Sequence, residues 1–278
     1  MYMHLPSLRQ YIAYSQLERK IERNIAATLS AREGNAKPWR FFFFKLSVKQ
    51  MKLKFSISNQ LTKLCKLDLP RLTDVNGENP GVQPVVTNSV QCGWQFHVVR
   101  DELCWLVFAM ESYSRYSIVM PYLLKPDWNE IARDFDALWL EHMLAWFRMD
   151  GFVRTDAQIA EVVRQFNTKP IAEYHRNLDM SINGHLADAK LWLEAYKRDV
   201  KPRLFDSEHA WHFCEMLNQE TKRVNKQRRK SAEFVPLERF LYDNLYRYAK
   251  GLCDGPIPGT KEGDFPNPHK QGPDLRLV

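Results

Sequence analysis

Three strand-like segments that follow one another within residues 94–120 constrain the fold of this chain more than any other feature. They cover residues 94–100, 103–110 and 115–120, and only a few residues join each segment to the next. Connections this short favour antiparallel neighbours, because parallel strands need a long crossover between them. The middle segment is apolar on both faces, which is typical of a strand that is covered from both sides.

The segment before these strands adds another strand and a short helix. Residues 52–57 alternate between polar and apolar side chains, which predicts a strand. A short helix is predicted over 59–67, with Ser58 or Asn59 as its N-cap. Residues 68–92 carry the Gly, Pro and Asn signals of an exposed loop.

The rest of the chain is helical in character, because its apolar side chains recur at spacings of three and four. Helices are predicted at 127–149, 156–166, 181–197, 207–218 and 237–251. Gly151 is the expected stop of the first of these helices. We therefore predict an α+β fold, in which a small antiparallel sheet of about four strands is packed by several helices.

The positive charge of the chain is concentrated near its beginning. The chain has a net charge of +7, and residues 1–50 hold nine Lys or Arg and three Glu, so that they carry +6 of it. We predict a basic N-terminal extension over 1–50, an α+β domain with a C-terminal helical part over 51–250, and a Pro- and Gly-rich tail over 251–278. The extension is either the product of too early a start codon or a loosely packed arm.

Composition argues against several classes of protein. No stretch approaches the roughly 18 uninterrupted apolar residues of a membrane helix, and residues 1–33 lack the pattern of a secretory signal. The five Cys are widely spread without a C-x-x-C pair, as expected of free thiols in a reducing compartment. No Gly-rich phosphate loop or zinc spacing is present. We expect a soluble cytoplasmic protein with no membrane partner and no cofactor.

A set of polar residues in the strands and at the start of a later helix is the first candidate site. It contains His97, Ser114, Arg115, Ser181, His185 and Asp188. If these side chains converge, His97 or His185 can act as a general base, Arg115 can hold an anionic group and Asp188 can orient a histidine. That chemistry suits hydrolysis of a phosphate ester. The structural alternative is that Ser181 caps a helix and Gly184 permits close backbone packing.

Two further sequence patterns each have a functional and a structural interpretation. The basic run contains Lys222, Arg223, Lys226, Arg228, Arg229 and Lys230. It is either a solvated loop between helices or a contact for nucleic acid or an acidic partner. His209 and His212 lie three residues apart with Glu208 and Glu215 beside them, but the spacing is not H-E-x-x-H. Histidines at the edge of a core stripe are the favoured interpretation, and no metal site is predicted.

Five segments together resemble a family of bacterial domains of unknown function over about residues 51–200. They cover residues 52–66, 94–98, 104–109, 114–119 and 181–188. Members of that family carry a Trp-His-Ala-Asn-type strand and a later Ser-x-x-Gly-x-x-Asn-Asp segment that opens a helix. Gln95 and Ala187 depart from this pattern, so chemistry that needs the family's His and Asn there is absent from this chain. The resemblance implies the α+β fold and the domain boundary, and it implies no activity.

Two classes of function remain open at this point. The first is a binding or accessory module that contacts a protein or a nucleic acid through its surface. The alternative is a hydrolase that acts on phosphate esters through His97, Arg115, His185 and Asp188. A shared cavity that holds these four side chains favours the enzyme, and side chains on different faces favour the binding module.

Overall fold

The structure of this chain is a computed structural model, which describes residues 51–73, 76–88, 91–223, 233–249 and 252. The predictions made for residues 1–50, for residues 224–232 and for nearly all of the tail lie outside these described residues. Among the described helices, none is both long enough and apolar enough to cross a membrane.

A mixed five-stranded sheet lies at the centre of the fold, in the order β4-β3-β2-β1-β5. Its strands are β1 (Lys52–Ile57), β2 (Gln91–Arg100), β3 (Trp105–Glu111), β4 (Ser117–Tyr122) and β5 (Ala172–Arg176). Strands β2, β3 and β4 are antiparallel neighbours, whereas β1 runs parallel to both β2 and β5. A separate ribbon pairs β6 (Lys222–Arg223) with β7 (Glu233–Phe234).

The α+β class is confirmed, and the three strands predicted within 94–120 are antiparallel neighbours. The composition of the sheet differs from the prediction, because it has five strands and is mixed. Strand β1 can lie parallel to β2 because residues 58–90 form a long connection that includes a helix. Strand β5 is missing from the prediction because its five residues, Ala-Glu-Tyr-His-Arg, are few and include no β-branched side chain, so their alternation is a weak signal.

Six helices of the described chain surround the sheet. They are α1 (Asn59–Leu64), α2 (Trp128–Met149), α3 (Asp156–Asn167), α4 (Met180–Val200), α5 (Ser207–Gln219) and α6 (Pro236–Tyr248). The first five begin at side-chain N-caps, which are Ser58, Asp127, Thr155, Asp179 and Asp206. Each cap oxygen accepts a hydrogen bond from a backbone N–H of the first turn, which otherwise has no partner within the helix. Gly151 follows α2 with φ +72°, as predicted for its stop.

The sheet separates two hydrophobic cores. On one face, aromatic rings of β1 and β2 pack against α2, α3 and α6, with Phe55, Phe96, Trp94, Phe135 and Trp139 in mutual edge or tilted contacts. On the other face, alternate residues of β3 pack against α4 and α5, among them Leu106, Phe108, Met110, Ile182 and Phe213. This arrangement explains why the sequence of β3 is apolar on both faces.

The outer edge of the sheet at β4 is closed by side chains of α5. Asn218 Oδ1 accepts a hydrogen bond from Ser117 N at 2.7 Å, and its Nδ2 donates to Ser117 O at 2.8 Å. Cys214 Sγ accepts from Val119 N at 3.2 Å. An unpaired strand edge is a template for aggregation. These contacts satisfy the hydrogen-bonding groups of the β4 backbone and block the pairing of β4 with another chain.

A buried hydrogen-bond chain joins α2 to the sheet. Trp146 Nε1 donates to Tyr116 Oη at 2.8 Å, and Tyr116 Oη lies 2.8 Å from His142 Nδ1. In the neutral tautomer with the proton on Nε2, His142 Nδ1 accepts from this hydroxyl, which leaves both polar groups of the pair satisfied. Burial lowers the pKa of His142 to about 3.

Candidate functional site

The predicted polar cluster divides into two groups that lie at different places along α4. One group gathers Arg115, Ser114, Ser181 and Asp188 around the β3–β4 turn and the first half of the helix. The other consists of His97 and Lys190, further along the helix. In the described structure the guanidinium of Arg115 donates to Ser112 and Ser181 and the imidazole of His97 is bonded to Lys190, so no side-chain hydrogen bond of these two residues joins the groups.

Arg115 is a buried residue of the β3–β4 turn with φ +61°. Its guanidinium donates to Ser112 O, and its Nη2 donates to Ser181 Oγ at 3.0 Å. Burial lowers the pKa of Arg115, and its Nε has no hydrogen-bond partner among the described residues. These contacts tie the turn to the start of α4, a structural role.

Ser114 and Glu111 complete the same turn. The buried carboxylate of Glu111 accepts from Ser114 N at 2.5 Å and from Ser114 Oγ at 2.7 Å, and it also accepts from Tyr113 N at 3.0 Å and from Thr87 Oγ1. Burial raises the pKa of Glu111, while its hydrogen bonds act in the opposite direction. Because its oxygens accept these hydrogen bonds, the carboxylate fixes the conformation of the turn.

The start of α4 differs from its predicted form. Asp179, not Ser181, is the N-cap, and its Oδ1 accepts from Ser181 N and Ser181 Oγ, both at 2.8 Å. Its Oδ2 accepts from Val85 N at 2.7 Å. A Cβ added to Gly184 meets nothing within 4 Å, so the expectation of close backbone packing there is wrong. The Asp immediately before an amphipathic stretch is the signal that identifies this cap.

Gln95 has a structural role. It is fully buried, its Nε2 donates to Asn177 O at 3.2 Å, and its Oε1 accepts from Asp179 N at 3.3 Å. The side chain therefore fixes the connection between β5 and α4. His185 is buried on α4, and Asp188, three residues later, raises the pKa of Lys222 by its charge.

His97 lies on β2 and faces α4. Its Nε2 is 3.0 Å from Lys190 Nζ, and its Nδ1 has no hydrogen-bond partner among the described residues. Burial, assisted by the charge of Lys190, lowers the pKa of His97 to about 4. The imidazole is therefore neutral near pH 7, and its Nε2 accepts from the lysine. A ring nitrogen that is occupied in this way positions Lys190 instead of acting as a base.

The end of the sheet beside Lys190 carries a groove of 620 Å³. It lies outside the carboxyl ends of the parallel strands β1 and β2, the place where ligands bind in open α/β sheets. The groove is lined by Gln60, Lys63 and Leu64 of α1, by Val98, Val99 and Arg100 of β2, and by Trp105, Lys125 and Lys190. Four of these nine residues are cations and none is an acid.

The four cations of the groove are Lys63, Arg100, Lys125 and Lys190, and none of them forms an ion pair within the described part of the chain. No carboxylate of the described residues lies within ion-pair distance of any of them. The nearest acid in sequence to Arg100 is Asp101, which is paired with Lys197. The Arg100 guanidinium carbon lies 4.6 Å from the centroid of the Trp105 ring. We call this surface the basic groove.

The four residues predicted to be catalytic do not line this groove or the second cavity. That cavity has 240 Å³ and lies between β1, β5 and α2, with Lys169 and Asp136 in an ion pair of 3.1 Å at its wall. His97 touches the basic groove indirectly, through Lys190. A shared cavity was the feature that favoured an enzyme, and neither cavity provides it.

Two members of the predicted basic run lie in the described part of the chain, and neither is a free surface cation. Lys222 Nζ donates to Arg115 O at 3.4 Å, and burial together with the charge of Arg115 lowers the pKa of Lys222 to about 8. Arg223 forms an ion pair with Glu233 across the β6–β7 ribbon. These two residues therefore lie in a strand of the ribbon, where Lys222 is half buried and Arg223 is exposed. Lys226, Arg228, Arg229 and Lys230 lie outside the described residues.

The histidines of α5 have partners on their own helix turn. His209 Nδ1 lies 2.7 Å from Asp206 Oδ1, and His212 Nδ1 lies 3.8 Å from Glu215 Oε2. Within the described ranges, no three His, Cys, Asp or Glu side chains are placed to hold a metal ion together.

Comparison with known proteins gives no relative: no family model, no curated protein and no solved structure matches this chain.

Sequence reasoning missed the basic groove because its cations are far apart in the chain and belong to no motif. Lys63, Arg100, Lys125 and Lys190 come from a helix, a strand end, a loop and another helix. Their shared position is visible only from the register of β2 with its neighbours. No short-range signal marks the set, since Arg100 ends a strand and Lys125 follows one, whereas Lys63 and Lys190 lie within helices.

Proposed function

We propose that this chain is a binding module that holds a nucleic acid by its phosphates in the basic groove. The observation that carries the proposal is the groove itself, a concave surface with four cations and no acid among its lining residues. Phosphodiesters reward such a cluster, because each contact releases counterions from the nucleic acid.

The placement of the groove supports the same conclusion. Lys63, Arg100 and Lys125 are exposed, so their charges are available to a ligand. Lys190 is half buried, and His97 holds its ammonium in one position. Binding of a phosphate by Lys190 therefore costs less side-chain entropy than binding by a freely rotating lysine. The attraction exerted by these cations is local, since charges further away are screened over a distance of about 8–10 Å.

A charge-reversal experiment tests the proposal. The double variant Lys63→Glu/Lys125→Glu should bind a labelled oligonucleotide at least about tenfold more weakly than the parent chain, measured by fluorescence anisotropy. Lys52→Glu is the matched control, because Lys52 is exposed at the opposite end of β1 and makes no ion pair in the described structure. Its affinity should stay within about twofold. Equal losses in both variants, or no binding by the parent chain, would contradict the proposal.

The phosphate-ester hydrolase has less support. Arg115 is engaged by Ser112 and Ser181, and the pKa of His97 is lowered to about 4 beside an ammonium. A general base is most effective when its pKa lies near the working pH. Assay of the parent chain against a generic aryl phosphate, with Arg115→Lys as comparison, tests this alternative directly, and turnover that is lost in the variant would revive it.

A further inference from the structure

We infer that the basic groove takes a single strand of nucleic acid, with its bases against an apolar rim. This inference rests on the proposed function and adds the class of ligand. Its two supports are the apolar side chains exposed beside the groove and the size of the groove.

The apolar rim consists of Leu103, Leu123 and Leu124, which are 61%, 63% and 83% exposed. The register of β3 with β4 pairs Trp105 with Tyr122, so the residues that precede Trp105 and follow Tyr122 lie at the same end of the sheet. Trp105 and Lys125 line the groove at that end. The three leucines are therefore at the same end of the sheet as the cations, and large exposed apolar side chains gathered in one place mark an interaction surface.

Such a rim suits a ligand that presents both phosphates and apolar faces. In a duplex the faces of the bases are stacked on one another, and only their edges and the backbone are accessible. A single strand exposes the base faces, and proteins bind it by combining a basic groove with side chains on which the bases pack. Trp105 lines the same groove and holds the Arg100 guanidinium over its ring, which fixes the position of that cation.

The volume of the groove also suits a single strand. Its 620 Å³ lies within the range of about 300–1,000 Å³ that is usual for sites enclosing a small ligand or a unit of that size. Elements on several sides bound it: α1, the loop with Lys125 and α4. A volume of this size admits a nucleotide unit, and four cations on the walls complement a strand that carries several phosphates.

The test compares ligands and variants by fluorescence anisotropy at one salt concentration. The probes are a short labelled single strand without self-complementarity and the duplex of the same length. The parent chain should prefer the single strand by about tenfold, and Leu123→Ala/Leu124→Ala should lose about fivefold or more on it with duplex affinity unchanged. Ile171→Ala is the matched control, since Ile171 is 91% exposed and precedes the edge strand β5.

The possible outcomes test the single-strand inference and the proposed function separately. Duplex binding as tight as single-strand binding, or an unchanged affinity in the leucine variant, overturns the single-strand inference and leaves the proposed function standing. Absence of binding to both probes overturns the proposed function as well. Binding to vesicles that contain phosphatidylserine, if it depends on Leu123 and Leu124 while neither oligonucleotide binds, assigns the surface to lipid and overturns both.

Discussion

Replacing Asn218 by Ala should destabilise the fold strongly, because one side chain closes the edge of the sheet. Asn218 is fully buried, and its amide both accepts from Ser117 N at 2.7 Å and donates to Ser117 O at 2.8 Å. The Ala variant leaves a buried N–H and a buried C=O without these partners, and each such group costs about 1–3 kcal/mol. We expect a loss of about 2–4 kcal/mol in the free energy of unfolding, in the lower part of the range that two such groups span.

Urea unfolding followed by far-UV circular dichroism measures this loss through the midpoint and the slope. Asn129→Ala is the matched control, since Asn129 is an exposed residue in the first turn of α2. Exposed substitutions of this kind change stability by about 0.5 kcal/mol or less. If Asn218→Ala loses no more than this control, the argument that a side-chain amide satisfies the edge of β4 is wrong.

Two further predictions concern buried ionisable groups and use the same unfolding assay. Because His142 stays neutral when folded but takes up a proton below about pH 6.5 when unfolded, its contribution is present above that pH and lost as the pH falls toward about 3. Between about pH 6 and pH 4 the parent chain should therefore lose up to about 1.4 kcal/mol per pH unit more than His142→Gln, and parallel curves would refute this. Asp243→Ala should cost about 3–5 kcal/mol, because it removes the carboxylate whose Oδ2 lies 2.7 Å from the buried Arg247 guanidinium and leaves that charge with neutral acceptors such as the carbonyls of Asn88 and Gln91. Glu161→Ala breaks the exposed pair with Arg164 and should cost about 0–1 kcal/mol, so equal losses in the two Ala variants would contradict the reasoning.

Much of the fold follows from local patterns. Local sequence is enough to predict β1 from its polar and apolar alternation and β3 from its apolar residues. It is also enough to predict α2 and α3, whose apolar residues recur at helical spacing. β5 could not be found this way, because its side chains are mostly half buried and its pairing with β1 depends on residues more than a hundred positions away. The parallel direction of β1 was missed for the same reason, since a long connection permits either direction.

The site was harder to predict than the fold. His97 and Arg115 were singled out for their chemistry, but the structure uses Arg115 to brace a turn and His97 to hold a lysine. Residue type alone does not separate a reactive histidine from a neutral, buried one, because burial and a neighbouring ammonium set the pKa. The cations of the basic groove converge through the sheet register, which no short sequence window contains.

The salt dependence of single-strand binding tests the central claim most directly. If Lys63, Arg100, Lys125 and Lys190 each contact a phosphate, a plot of log affinity against log salt has a slope of about −3, since each contact contributes about −0.7. Raising the salt from about 0.1 to 0.2 M should then weaken binding about sevenfold, and Lys63→Glu/Lys125→Glu should at least halve the slope. A slope near zero in the parent chain, or one that the double variant leaves unchanged, would contradict the assignment of this groove to a phosphate backbone.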